Sequence, residues 1–266
     1  MLELKNINKT FNPGTPNAKQ ALCNFSLHLT PGDFVTIIGS NGAGKSTLFN
    51  AISGSFLLDS GQVWLDKQNI TFLPEHKRAA YIGRLFQDPL RGTAPNMTIE
   101  ENLALVYLRA NKSRSFFGIT NKERNYFKEK LAELDLGLEN RLKSKVGLLS
   151  GGQRQALTLL MATMTTPKVL LLDEHTAALD PATADKVLEL TENIVNAGNI
   201  TTLMITHNIG SALTMGNRTI MMNNGQIVLD INGAERAKLT VPEVLEMFKA
   251  KSQTALDDDR ILLTTD

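Results

Sequence analysis

The stretch Phe34-Val35-Thr36-Ile37-Ile38-Gly39-Ser40-Asn41-Gly42-Ala43-Gly44-Lys45-Ser46-Thr47 decides the fold. Its first five residues are apolar or β-branched and predict a buried strand, while Leu48 to Ile52 beyond the glycines reads as helix. Between them the glycines and the Lys45-Ser46 pair fall at the spacing of a phosphate-binding loop, in the strand-then-helix context that such a loop needs. Glycines let backbone N–H groups turn inward around phosphate oxygens, where side chains would block the approach. A helix starting near Lys45 points its positive end at the same anion. Gly39, Ser40, Asn41, Gly42, Ala43, Gly44, Lys45, Ser46 and Thr47 are thus candidate nucleotide-binding residues. Lys45 is expected to reach the β- and γ-phosphates, and the Ser46 hydroxyl is placed to ligate Mg²⁺.

Two further motifs lie downstream. Lys168-Val169-Leu170-Leu171-Leu172-Asp173-Glu174 is an apolar strand that ends in two carboxylates. Such a strand delivers Asp173 to a metal, directly or through water, and Glu174 next to it is a candidate general base for the attacking water. Leu149-Ser150-Gly151-Gly152-Gln153-Arg154-Gln155 precedes a helical run, Ala156 to Met164. Ser-Gly-Gly there builds a second helix N-terminus with free backbone donors, hence a second anion site. One ATP needs only one phosphate loop, so a second anion site in the same chain calls for a separate explanation.

Around these motifs short apolar runs alternate with helical patterns, which marks an α/β protein. Strands are expected at 2–7, 22–29, 34–38, 63–65, 80–86, 169–172, 202–205, 219–222 and 227–229. Phe11-Asn12-Pro13-Gly14-Thr15-Pro16 reads as a loop, and Asn223-Asn224-Gly225 as a hairpin turn, because Asn-Gly tolerates positive φ. From about Met97 to Thr165 the pattern turns helical, with Ile99, Leu103 and Val106 on one face and Phe127, Leu131 and Leu134 on another. Thr98 with Glu101 makes a capping box. The helical stretch is therefore expected as a subdomain inserted into an α/β core, with 85–89 and Pro167 as its junctions. A short helix, 241–249, and a polar tail containing Asp257-Asp258-Asp259 close the chain; the acidic run reads as a frayed end.

Composition excludes several classes. With 42% hydrophobic and 21% charged residues the chain has the make-up of a globular protein and not of a disordered one. A net charge of +1 gives no global attraction to nucleic acid or anionic lipid. The single cysteine, Cys23, rules out an intrachain disulfide and a cysteine-cluster metal site. Met1 to Lys5 lacks the apolar stretch of a secretory signal, and no apolar run approaches the ~20 residues that span a bilayer.

Taken together the motifs resemble the ATP-binding cassette (ABC) family over nearly the whole chain. To the phosphate loop, Leu149–Gln153 and the Asp173-Glu174 strand end are added Gln87 in Leu85-Phe86-Gln87-Asp88-Pro89, Asp180 in Ala178-Leu179-Asp180, and His207 in Ile205-Thr206-His207-Asn208, all in the family's order. The resemblance implies a P-loop NTPase (RecA-like) core with an N-terminal antiparallel β subdomain and an inserted α-helical subdomain. Its division would be 1–88 and 166–232 for the core, 89–165 for the helical subdomain with the signature motif, and 233–266 for a C-terminal helix and tail.

The resemblance also implies a function. Two copies would pair head to tail around two ATP molecules, with the phosphate loop of one facing Ser150, Gly151, Gly152 and Gln153 of the other. Gln87 would ligate Mg²⁺ and sense a membrane partner, and Asp180 would link the two sites. His207 would contact the γ-phosphate and position Glu174 and its water, and Phe11 would stack on adenine. Hydrolysis would drive separate permease subunits, served by a solute-binding protein, from the cytoplasmic face of a bacterial membrane, with no part for nucleic acid. A groove for the permease would draw on Phe86, Pro89, Met97, Ile99 and Leu103. In wording, 173–180 and 147–157 resemble a bacterial subgroup of tryptophan/tyrosine uptake ATPases. A soluble ABC ATPase of a cytosolic assembly machine, such as iron–sulfur cluster building, is the alternative with the same motifs.

The chain departs from the family at His175, where proline often follows the catalytic glutamate. A histidine there restores a backbone donor and adds a group titrating near neutrality, open either to a nucleotide or partner contact with pH-dependent activity or to no catalytic role. The insert 111–124 carries Lys112, Arg114, Phe116, Phe117, Lys122 and Arg124, a mixture suited to lipid headgroups or a membrane subunit and equally to a solvated loop.

Overall fold

In the computed structural model, which describes residues 1–110 and 118–252, the phosphate-loop strand lies deep inside the larger of two sheets. In chain order the first elements are β1 (Leu2–Phe11), β2 (Lys19–Leu29), β3 (Phe34–Gly39), α1 (Lys45–Ser53), β4 (Ser60–Leu65), β5 (Gln68–Asn69), α2 (Glu75–Arg78) and β6 (Ile82–Leu85). Then come α3 (Ile99–Ala110), α4 (Asn121–Ala132), α5 (Gly151–Thr163), β7 (Val169–Asp173), α6 (Pro181–Gly198) and β8 (Thr201–Ile205). The last are α7 (Ile209–Thr214), β9 (Arg218–Asn223), β10 (Gln226–Asn232), α8 (Gly233–Arg236) and α9 (Val241–Ser252).

The larger sheet runs β10-β9-β3-β8-β7-β6, and all its pairings are parallel except β10 with β9. Every residue of β3 and β8 is buried, which is why both read as unbroken apolar or β-branched runs instead of alternating ones. The smaller sheet, β2-β1-β4-β5, is antiparallel. Its inward residues Leu4, Phe25 and Val63 pack with Phe49 and Ile52 of α1 and with Val35 and Leu171 of the larger sheet, so α1 is held between the two sheets. On the opposite face Leu170 and Leu172 meet Val195 of α6. A separate cluster built on Ile99, Leu103, Phe127, Leu131, Val146 and Leu157 gives the helical stretch its own interior. Val244 and Phe248 of α9 pack against Met221 of β9 and Ile38 of β3.

Local chemistry sets the helix ends. Thr98 and Glu101 form the expected reciprocal cap, at 2.7 and 3.3 Å, and Thr120 with Glu123 forms a second one at the start of α4. The C-terminus of α1 is closed by a buried arginine. Arg78 donates to the carbonyls of Ala51 and Ile52, each at 2.9 Å, and also to Thr71 and Leu73. Those α1 carbonyls have no partner within their own helix, and the guanidinium also offsets the negative end of its dipole.

Ile99 and Leu103, expected in a groove, are instead wholly buried in the helical interior. Phe86 does line a cleft of about 240 Å³ between core and helical stretch, together with Arg84, Val106, Arg109 and Met161. Of the basic insert, residues 111–117 lie outside the described residues, and with them Lys112, Arg114, Phe116 and Phe117. Arg124 is engaged by the buried Glu100 at 2.9 Å, so that arginine is a structural partner. The tail from 253 on, with Asp257 to Asp259, also lies outside the described residues. Among the described residues no helix is long and apolar enough to cross a membrane.

Candidate functional site

β3 runs its backbone into a loop that only glycine permits at two points. Gly39 has φ of 151°, and a Cβ there would lie 2.3 Å from the carbonyl oxygen of Met222; Gly44 has φ of 101°, and its Cβ would lie 2.4 Å from that of Ala21. The loop is braced from behind by the β9–β10 hairpin, whose Gly225 N–H donates to the carbonyl of Ala43 at 2.9 Å. α1 follows with Gly44 as its N-cap, no side-chain cap and no acid in its first turn, so its first N–H groups are available to an anion. Lys45 folds back over the loop and donates to the carbonyls of Gly39 and Ser40, at 2.7 and 3.2 Å. Beside it opens a cleft of about 220 Å³ lined by residues that include Asn41, Lys45, Ser46, Phe11, Lys19 and Glu174. Phe11 stands on its rim, 38% exposed, edge-on to Phe56 at 5.6 Å and beneath the Lys9 ammonium at 5.7 Å.

The acidic pair comes from β7. Asp173 ends the strand, and Glu174 then takes a left-handed conformation (φ 47°) while its N–H donates to the Ile205 carbonyl of β8 at 3.1 Å. That turn aims Glu174 at the phosphate loop, and a non-glycine residue in this region is held there by its surroundings. His207, two residues beyond β8, brings Nε2 to 2.6 Å from Glu174 Oε1. This hydrogen bond, aided by the charge of Lys45, lowers the Glu174 carboxyl below the usual range, so the group stays ionised and able to accept a proton near neutral pH. Asp173 behaves oppositely. Burial raises its carboxyl, opposed by the Arg84 guanidinium, whose terminal nitrogen lies 3.4 Å from Oδ2.

The oxygen donors at this end of the sheet, the Ser46 hydroxyl and the Asp173 carboxylate, are the hard ligands that suit Mg²⁺. Asp173 already attracts one cationic group, and among the described residues no cluster of three or more His, Cys, Asp or Glu side chains forms a metal cage. A partial donor set completed by phosphate oxygens fits Mg²⁺ arriving with a nucleotide.

Other expected residues stand apart from the cleft. Gln87 is exposed on the segment after β6, and no contact joins it to Ser46 or Asp173 among the described residues. Ser150 and Gln153 cap α5 reciprocally at 3.3 Å, while the N–H groups of Gly151 and Gly152 meet no acceptor among the described residues. None of the four lines the phosphate-loop cleft. Asp180 caps α6, accepting from Thr183 N–H at 3.1 Å. A Cβ on Gly152 would fall 2.2 Å from Thr183 Cγ2, so the α5 and α6 starts pack tightly in one chain.

His175 is buried against α6 and does not line the phosphate-loop cleft. It is 3% exposed, Nε2 lies 3.1 Å from Thr191 Oγ1 of α6, and burial lowers its pKa to about 4. Sequence reasoning missed Arg84 and Lys19. The first reaches Asp173 from the neighbouring strand, and the second enters the cleft as the cross-strand partner of Phe11, so neither has a local sequence signal.

The chain is similar to several known proteins. The family model described as ABC transporter matches residues 22–177, more than half of the chain. The tyrosine transport ATP-binding protein of Clostridioides difficile (strain R20291) is 49% identical over 94% of this chain and 99% of its own length. The methionine import ATP-binding protein MetN of Bartonella henselae is 34% identical over 86% of this chain, which spans 64% of that longer protein. Among solved structures, a dimeric post-hydrolysis state of the ATP-binding cassette MJ0796 bound to ADP and Pi matches with a TM-score of 0.74 at 29% identity, over 87% of this chain and 98% of that one.

Proposed function

This chain belongs to the ABC transporter family and is an ATP-hydrolysing subunit that powers uptake, and from that premise we propose how its residues divide the work. ATP lies along the α1 N-terminus, its phosphates against the backbone of 39–44 and Lys45. Phe11 offers its exposed face to the base. Glu174, held by His207, takes a proton from the attacking water while Lys45 draws charge from the phosphoryl group. Ser46 and Asp173, with Gln87 after rearrangement, would hold Mg²⁺, which when bound offsets charge on the phosphate oxygens.

The second jaw belongs to another molecule. Among the described residues the N–H groups of Gly151 and Gly152 meet no acceptor and lie outside the phosphate-loop cleft, so they serve the nucleotide of a second copy in a head-to-tail dimer. Asp180, fixed at the start of α6 beside that jaw, carries one site's state to the other. Residues 1–88 and 166–232 act as the nucleotide core, 89–165 as the helical subdomain and 233–266 as a C-terminal appendage. Through the cleft lined by Arg84, Phe86 and Arg109 the chain docks onto separate permease subunits at the cytoplasmic face of the membrane, served by a solute-binding protein. The relatives named for tyrosine and methionine transport support a small solute such as an amino acid. They give no support to a soluble assembly machine.

The observation that carries this reading is the 2.6 Å contact between His207 and Glu174 on the wall of the phosphate-loop cleft. Glu174→Gln is expected to keep ATP binding and lose phosphate release by about 10²–10⁴-fold, the scale of one general base. Undiminished release would remove Glu174 from the chemistry. Purification from membranes should bring down a multispan permease; recovery with assembly-scaffold proteins alone would overturn the transport assignment.

A further inference from the structure

Arg84 sits on β6 and sends its guanidinium under the end of β7. One terminal nitrogen donates to Asn50 Oδ1 at 2.8 Å and to Ser53 Oγ at 3.2 Å, both on the phosphate-loop helix α1. The other donates to Asp173 Oδ2 at 3.4 Å. The ring of Phe86 lies 4.7 Å away, and that ring also faces Arg91 at 5.0 Å. The two paired side chains, Arg84 and Asp173, are only 12% and 13% exposed, and Arg84 Nε is buried with no acceptor among the described residues.

The distances rank these bonds. A charge-assisted N–H···O contact settles near 2.7–2.9 Å. The link to α1 reaches that length and the link to Asp173 does not. Arg84 is therefore anchored on α1 and leans on Asp173, so the carboxylate can leave while the guanidinium stays. A divalent ion approaching the same carboxylate meets a fixed positive charge, and in a partly buried setting that repulsion is poorly screened.

We propose that Arg84 is a positioning residue that competes with the divalent cation for Asp173, steadying the carboxylate before nucleotide arrives and limiting how far the metal strengthens nucleotide binding. This rests on the reading of Asp173 as a metal-side carboxylate. Removing the charge acts twice in the same direction. Asp173 becomes freer for the metal, and its carboxylate, no longer offset by the guanidinium, repels metal-free ATP more strongly.

The readout is the ratio of the ATP dissociation constant in EDTA to that in Mg²⁺, measured with a fluorescent ATP analogue in the Glu174→Gln background. Arg84→Gln, which can still bond Asn50 and Ser53, should raise the ratio roughly tenfold, the scale on which one neighbouring charge alters a carboxylate. Arg84→Lys keeps the charge without the planar fork and should stay within about twofold of the parent. A ratio that is unchanged or lowered in Arg84→Gln, or equal in the two variants, overturns the proposal and leaves Arg84 a structural anchor. Arg84→Met replaces Arg84→Gln if the latter does not fold. A parent protein with no metal-dependent ATP binding would contradict the metal reading of Asp173 instead.

Discussion

His175, next to the proposed general base Glu174, is placed to act on stability rather than on chemistry. Buried against Thr191, it is neutral in the folded chain, its pKa lowered to about 4 by burial from an ordinary 6.5. Between those values the unfolded chain binds the extra proton and the folded chain does not, so stability falls as pH drops from 6.5 towards 4. Over that window the loss is about 3 kcal/mol for one such group. Urea denaturation at pH 7 and pH 5 should show His175→Leu losing less stability between the two than the parent; equal losses would place the acid sensitivity elsewhere. Activity profiles of His175→Pro and parent should have the same shape, since the ring does not face the cleft. Glu174, unlike the neutral His175, is kept charged in the folded chain, because its bond to His207 holds the carboxylate ionised. His207→Ala should lower turnover by about 10²-fold while leaving ATP affinity within a few-fold, as expected when a positioned donor is removed.

At the scale of elements, α1 carries the heaviest local demand, with an open N-terminus for phosphate and a C-terminus sealed by Arg78. Arg78→Ala should destabilise the fold by about 3 kcal/mol, since several bonds from one buried charge go unmet together. A change in unfolding free energy below about 1 kcal/mol would show that water replaces the guanidinium. Gly152→Val should push the α5 start off Thr183 and lower ATPase activity with little change in ATP binding to the phosphate loop. Much at this scale was legible beforehand. Nine strands were legible, β3, β6, β7, β8 and β9 as the apolar runs of buried parallel strands and β1, β2, β4 and β10 as short apolar stretches of antiparallel pairs, together with the Asn224-Gly225 hairpin and the Thr98 cap, each set by a few nearby residues. β5 was not, being two exposed polar residues without periodicity, and β1 extends to Phe11 because bulges carry it past the polar Asn8 to Thr10. The Arg84–Asp173 pair and the burial of His175 depend on which elements pack together, and no local pattern encodes that.

For the whole molecule, the sheet order places β8 between the phosphate-loop strand β3 and the acidic strand β7. Lys45, Glu174 and His207 therefore converge from three strand ends of one chain, whereas the α5 jaw lies outside the cleft they form. On the proposed division of roles, this separation of the jaws makes association a condition of turnover, as distributed positioning is most of what phosphoryl transfer asks of a protein. The direct test is ATPase activity per molecule measured while the purified chain is diluted through its dimer dissociation constant, with oligomeric state followed in parallel. Activity per molecule should fall in step with the dimer fraction and approach zero in monomer. Constant activity per molecule in demonstrably monomeric protein would contradict the account.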